Sequence, residues 1–216
     1  MISNNLKQRV FTSLVLLTFV FLIFSFNIFL IYFLIIMGVL SILEFIQIIN
    51  IIFKNKFRRI LINLFFIIYI FIFCILFFLF SNLEGLKLIL FILLLSCVSS
   101  DIGGYIFGKI FRGPKITKIS PKKTYAGAAG SFLLTLIIMY LFSFYFIDLQ
   151  YYKIIFISFM TSLFCQLGDL FFSLLKRKAK LKDTGKILPG HGGVIDRLDG
   201  IFFGIPVGFV SLTLLY

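Results

Sequence analysis

The chain has 216 residues, of which 61% are hydrophobic and 13% charged, with 32 phenylalanines and a formal net charge of +13. That much apolar surface exceeds what a soluble core of this length absorbs, and apolar runs of roughly 20 residues recur along the chain, so a soluble globular protein is excluded in favour of an all-α polytopic integral membrane protein. No polar stretch is long enough for a soluble domain, and no internal repeat is visible.

Hydropathy places seven segments in chain order: Val10–Phe26, Ile28–Phe53, Ile60–Phe80, Leu86–Phe107, Gly127–Ile147, Ile154–Leu175 and Ile201–Tyr216. Met1 to Phe26 has the basic start and apolar stretch of a signal peptide but lacks an Ala-x-Ala-like site, so a retained first helix is expected. Glu44 falls near one end of the second segment and reads as an interfacial glutamate. Cys74, Cys97 and Cys165 all fall inside segments at spacings that fit no metal motif, which makes them buried thiols outside any disulfide framework. The fourth segment carries Asp101 and then Gly103, Gly104, Tyr105 and Gly108, a set suited to close helix packing. Next come Ser120-Pro-Lys-Lys-Thr124, with Thr124 or Tyr125 able to cap a helix, and the small run Ala126-Gly-Ala-Ala-Gly130. That loop is read as phosphate-binding, with a plain structural turn as the other reading.

The charge distribution excludes nucleic-acid binding. Nineteen of the 21 cations fall before the first segment or between the second and third, fourth and fifth, and sixth and seventh; only Lys87 and Lys153 fall on the other side. The positive-inside rule then puts the N-terminus and both polar loops in the cytoplasm, with attraction to anionic membrane lipids as a further use of the same charges.

One stretch, Ser173 to Asp199, holds the only histidine, three of the eight acidic residues and seven cations. Such density between membrane segments is what a metal-assisted phosphate site requires. Asp169 lies seven residues before Lys176 and Asp101 eight before Lys109. Helical rise puts these carboxylates roughly 10 and 12 Å inside the apolar layer, where ionisable groups are costly and usually functional. Asp196 and Asp199 are three apart, so on a helix they share a face. They suit either an acidic N-terminal turn or a hard-cation site beside the Pro189-Gly-His-Gly-Gly193 loop, whose glycines admit phosphate oxygens close to the backbone.

Ser173, Lys176, Arg177, Lys182, Asp183, Pro189 to Gly193, Asp196, Arg197 and Asp199 together resemble the signature of the phosphatidate cytidylyltransferases, or CDP-diacylglycerol synthases. Gln166-Leu-Gly-Asp-Leu170 and Ile119-Ser-Pro-Lys-Lys-Thr124 resemble the same family, so the likeness covers about Asp101 to Gly200, while the first 95 residues match as generic membrane helices. Three positions depart from the family pattern: Ala126 where relatives often carry an acid or amide, Phe172 where Glu is common, and Gly200 where Ser is common.

The resemblance implies a single membrane-embedded catalytic domain over residues 1–216, in a bacterial inner membrane, with its motifs in 96–200. The implied reaction joins CTP and phosphatidate into CDP-diacylglycerol and pyrophosphate. A phosphate monoester is largely dianionic at neutral pH and can attack without a dedicated base, so positioning and electrostatics supply the catalysis. The expected roles are Mg²⁺, as one or two ions, on Asp169, Asp196 and Asp199, and phosphate neutralisation by Lys176, Arg177, Lys182 and Arg197. His191 is expected to hydrogen-bond a phosphate oxygen or protonate pyrophosphate, and Lys122 and Lys123 to meet a headgroup or nucleotide. Ser120, Thr124, Asp101, Ser173, Asp183, Gly190, Gly192 and Gly193 complete the expected substrate contacts, and a homodimer is compatible with all of this. The alternative class is a transporter of an anionic solute, against which the polar residues cluster at one face with no inverted repeat. The aspartate motif of the CDP-alcohol phosphotransferases is absent.

Overall fold

The computed structural model describes residues 18, 25–117, 120, 123–146, 150–185 and 192–215. Six helices cover most of them: α1 Asn27–Ile52, α2 Lys56–Ser81, α3 Glu84–Phe111, α4 Tyr125–Phe146, α5 Tyr151–Lys178 and α6 Ile195–Leu215. An isolated antiparallel bridge joins Lys115 and Thr124. All six helices are long and apolar enough to cross a membrane, which makes the chain an all-helical polytopic membrane protein. They coincide with the second to seventh predicted segments; the first, Val10–Phe26, lies almost wholly outside the described residues.

The helices overrun the apolar runs wherever polar residues continue the turn. α6 starts at Ile195, so Asp196, Arg197 and Asp199 are helical. α5 continues to Lys178 and takes in Lys176 and Arg177. Its end is a Schellman motif: Leu181 N–H bonds Lys176 C=O at 2.9 Å and Lys180 N–H bonds Arg177 C=O at 3.1 Å. Lys180 takes the left-handed position, at φ 57°, that glycine usually fills. Asn55 caps α2 by accepting from Phe57 and Arg58 N–H. Thr124 caps α4 as expected, its hydroxyl oxygen accepting from Gly127 N–H at 3.1 Å. The chain entering that cap is pinned by Tyr125 N–H to Pro114 C=O and Ile116 N–H to Lys123 C=O.

The chain divides into two compact units, one built from residues up to Leu83 together with Leu175–Arg197, the other from Glu84–Leu174 and Leu198–Tyr216. In the first, α1 and α2 pack through a Phe45–Phe66 ring stack with centroids 3.8 Å apart. In the second, close approach depends on missing side chains. A Cβ at Gly103 would collide with the Gly130 carbonyl, and one at Gly104 would come within 2.7 Å of Ser131 Oγ, so α3 and α4 touch backbone to backbone. α6 lays Gly200, Gly204 and Gly208 against Cys165, Cys97 and Thr161 in the same way. Phe172 is 1% exposed and packs on Phe202 and Phe203, which makes it part of the apolar core.

Candidate active site

In the first unit the two described ends of the signature loop meet on one carboxylate. Glu44, from α1, is 2% exposed. It accepts from Thr184 Oγ1 at 2.7 Å, from Val194 N–H at 2.9 Å and from Ile195 N–H at 3.0 Å. Ile195 opens α6, where the first N–H groups have no partner within the helix. The neighbouring glycines are shaped by the same carboxylate. A Cβ at Gly185 would collide with Glu44 Oε1, and one at Gly193 would lie 2.6 Å from Oε2. The reading of Glu44 as an interfacial side chain is therefore overturned. It is buried because three donors replace the water that a charged group otherwise needs.

The second carboxylate of this unit is Asp196. Lys176 Nζ donates to its Oδ1 at 2.6 Å, with only 12% and 9% of the two side chains exposed. Oδ2 accepts from Thr184 N–H at 2.8 Å and Gly193 N–H at 3.0 Å. Gly192 lies in the left-handed region at φ +88°, and a Cβ there would meet Asp196 Oδ2 at 3.0 Å. Two residues expected to face phosphate and metal separately are thus paired with each other. Arg177, Lys182, Asp183 and Arg197 are exposed, and Arg177 Nη1 donates to the Leu181 carbonyl at 3.4 Å.

In the second unit Lys123 Nζ lies 2.6 Å from Asp169 Oδ2 and donates to the Gln166 carbonyl at 3.3 Å. Ser173 donates to Asp169 Oδ1 at 3.3 Å. The pair is partly open, with 21% and 32% of the side chains exposed. One residue back, Gly168 has no room for a Cβ because the Asp199 carbonyl occupies that place. α5 and α6 therefore meet at Gly168 and Asp199, next in the chain to Asp169. Asp199 is 8% exposed, and its Oδ1 accepts from Gly200 N–H at 2.9 Å. Asp101 is exposed and accepts from Cys165 Sγ at 3.7 Å. Ser120 is half-buried, its N–H bonded to Thr117 Oγ1. The expected site residues Lys122, Gly190 and His191 lie outside the described residues, as does Pro189.

Among the described residues no three His, Cys, Asp or Glu side chains gather as an all-protein cation cage would need. Mg²⁺ asks for less: one or two carboxylates, with water and phosphate oxygens completing six ligands. Asp169 and Asp199, on adjoining helices, carry such oxygens, but Asp169 has Oδ2 on Lys123 and Oδ1 on Ser173, so it becomes a ligand only if Lys123 moves off. Asp196 has both oxygens engaged, so it becomes a ligand only if Lys176 moves off Oδ1.

A family model described as the cytidylyltransferase family matches residues 10–215. The chain is 40% identical over 126 residues to the phosphatidate cytidylyltransferase of Mycobacterium leprae, covering 58% of this chain and 40% of the relative. The corresponding protein of Helicobacter pylori is 41% identical over 112 residues, covering 52% and 42%. That of Staphylococcus aureus is 41% identical over 127 residues, covering 57% and 48%. The matched part thus spans less than half the length of these relatives. The family match runs from the first predicted segment to the end of α6, and the chain belongs to the cytidylyltransferase family.

Proposed function

We propose that the protein transfers the cytidylyl group of CTP to phosphatidate, giving CDP-diacylglycerol and pyrophosphate in phospholipid synthesis at a bacterial inner membrane. Family membership supports the reaction class, and the phosphatidate cytidylyltransferases matched over about half of this chain support the substrates. The observation that carries the reading is the partly open Lys123–Asp169 pair beside the α5–α6 crossing at Asp199. It offers an anion a cation and a metal a carboxylate at one place.

In the reaction a phosphatidate oxygen forms a bond to the α-phosphorus of CTP while the bond from that phosphorus to the bridging β-oxygen breaks. The barrier is largely repulsion between two anions, so fixed cations and a dry, ordered site supply the rate. Lys123 is already held at Asp169 and turns its ammonium to a phosphate at the loss of a partly open pair, which costs on the order of 1 kcal/mol. Mg²⁺ held by Asp169 and Asp199 would neutralise triphosphate charge. Lys176, Arg177, Lys182 and Arg197 meet the remaining phosphate oxygens, and His191 supplies a proton or hydrogen bond to the departing pyrophosphate. The cation-rich loops and the signature face the cytoplasm, where CTP is found, while the lipid enters sideways from the bilayer.

The test supplies purified protein with phosphatidate vesicles, Mg²⁺ and CTP labelled at the α-phosphate. Label is expected in the lipid phase with one pyrophosphate released per lipid formed. Absence of lipid label, or transfer of label from the γ position instead, overturns the reading.

A further inference from the structure

We propose that Glu44 is a positioning residue for the signature loop, clamping its two ends, at Thr184 and at Val194 and Ile195, onto a membrane helix; its kinetic consequence rests on the cytidylyl-transfer reading. The carboxylate reaches residues 140, 150 and 151 positions away in the chain. It takes one hydroxyl from the near end of the loop, Thr184, and two backbone N–H groups from the far end, Val194 and Ile195. Between these ends lies the span that carries Gly190 and His191. A helix is ordinarily capped by the side chain of its own flanking residue. Here a residue of α1 takes the first-turn N–H groups of α6, and its charge lies at the positive end of the helix dipole.

Two loop glycines follow from the same contact. At Gly185 and Gly193 a side chain would strike the Glu44 carboxylate, and at Gly193 the Thr184 hydroxyl as well. Their lack of side chains lets the loop close on Glu44. Glutamine in place of Glu44 keeps the shape but presents an amide N–H₂ to one of three donors, so one donor is left facing another donor. Glu44 touches no reacting atom in this scheme; it holds Thr184, Val194 and Ile195 in place.

The test uses the full chain in lipid nanodiscs with Glu44→Gln, Thr184→Val and Thr184→Ser. Amide hydrogen exchange, read by mass spectrometry, should speed up by roughly tenfold or more over residues 184–196 in Glu44→Gln, the scale of a buried N–H losing its acceptor. α2 should exchange as in the wild type. kcat/KM for CTP should fall by a comparable factor. Thr184→Val should reproduce part of both effects, and Thr184→Ser, which keeps the hydroxyl, should recover them; this pair decides the matter if Glu44→Gln cannot be purified. Wild-type exchange over 184–196 in both Glu44→Gln and Thr184→Val overturns the clamp, as does equal damage in Thr184→Val and Thr184→Ser. Should the exchange pattern hold while the wild type fails to consume CTP with phosphatidate, the clamp stands and the assigned reaction falls.

Discussion

Replacing Asp196 with asparagine removes one charge from a pair that is nearly sealed from solvent, with side chains 12% and 9% exposed and Nζ to Oδ1 at 2.6 Å. Both backbone donors, Thr184 and Gly193 N–H, converge on the other oxygen, Oδ2. The amide therefore keeps its oxygen there and turns its N–H₂ towards the Lys176 ammonium. A charge-assisted bond becomes a donor facing a donor, a loss of about 2–3 kcal/mol. For a chain of this size that lowers Tm by roughly 5–10 °C. Lys176→Met leaves the carboxylate with two N–H donors and the helix N-terminus, so its cost is smaller, about 1–2 kcal/mol. The double variant should regain part of the stability lost in Asp196→Asn alone, because the donor clash is gone. The assay is thermal unfolding in detergent followed with a thiol-reactive dye, since Cys97 and Cys165 are both fully buried until the fold opens. A Tm for Asp196→Asn within 1 °C of wild type, or above that of Lys176→Met, would show that the Lys176–Asp196 pair does not hold this loop together.

Gly200→Ser, which restores the residue common in relatives, should destabilise this chain by about 1–3 kcal/mol, because a Cβ at that position would come within 2.5 Å of Cys165 Sγ. Cys165→Ala should relieve most of that loss in the same melting assay; an additive double variant would disprove the steric cause. Topology is read by labelling single cysteines, in a background without the native three, with a membrane-impermeant thiol reagent. Position 150 should react in intact cells and positions 115 and 186 only after lysis; labelling at 186 in intact cells would invert the assignment.

Helix placement was legible because apolar runs long enough to span a bilayer leave few other structures, and each described helix falls on its predicted segment. Helix ends were less so, since the turns containing Asp196 and Lys176 are polar and hydropathy stops before them. Thr124 was legible as a cap because capping is local in sequence. Pairings were not. The lysines of the two loops are visible as charge, but nothing in the spacing says that Lys123 meets Asp169 or that Lys176 meets Asp196. Glu44 was missed for the same reason: its partners lie 140 to 151 residues away. The one available signal was a lone acid in an otherwise apolar helix, which the proximity of the segment end made look interfacial. Gly200 is intelligible only beside Cys165, since the clash lies between two helices.

We propose metal-assisted cytidylyl transfer at Asp169 and Asp199. Its most direct test is the initial rate of CDP-diacylglycerol formation across a Mg²⁺ titration, for wild type, Asp169→Asn and Asp199→Asn. No turnover is expected without a divalent cation. Each variant should lose roughly a hundredfold or more, the scale of removing one preorganised electrostatic contact from a transition state, with the Mg²⁺ requirement moved to higher concentration. Wild-type rates and an unshifted Mg²⁺ profile in both variants would contradict it and leave the two aspartates structural.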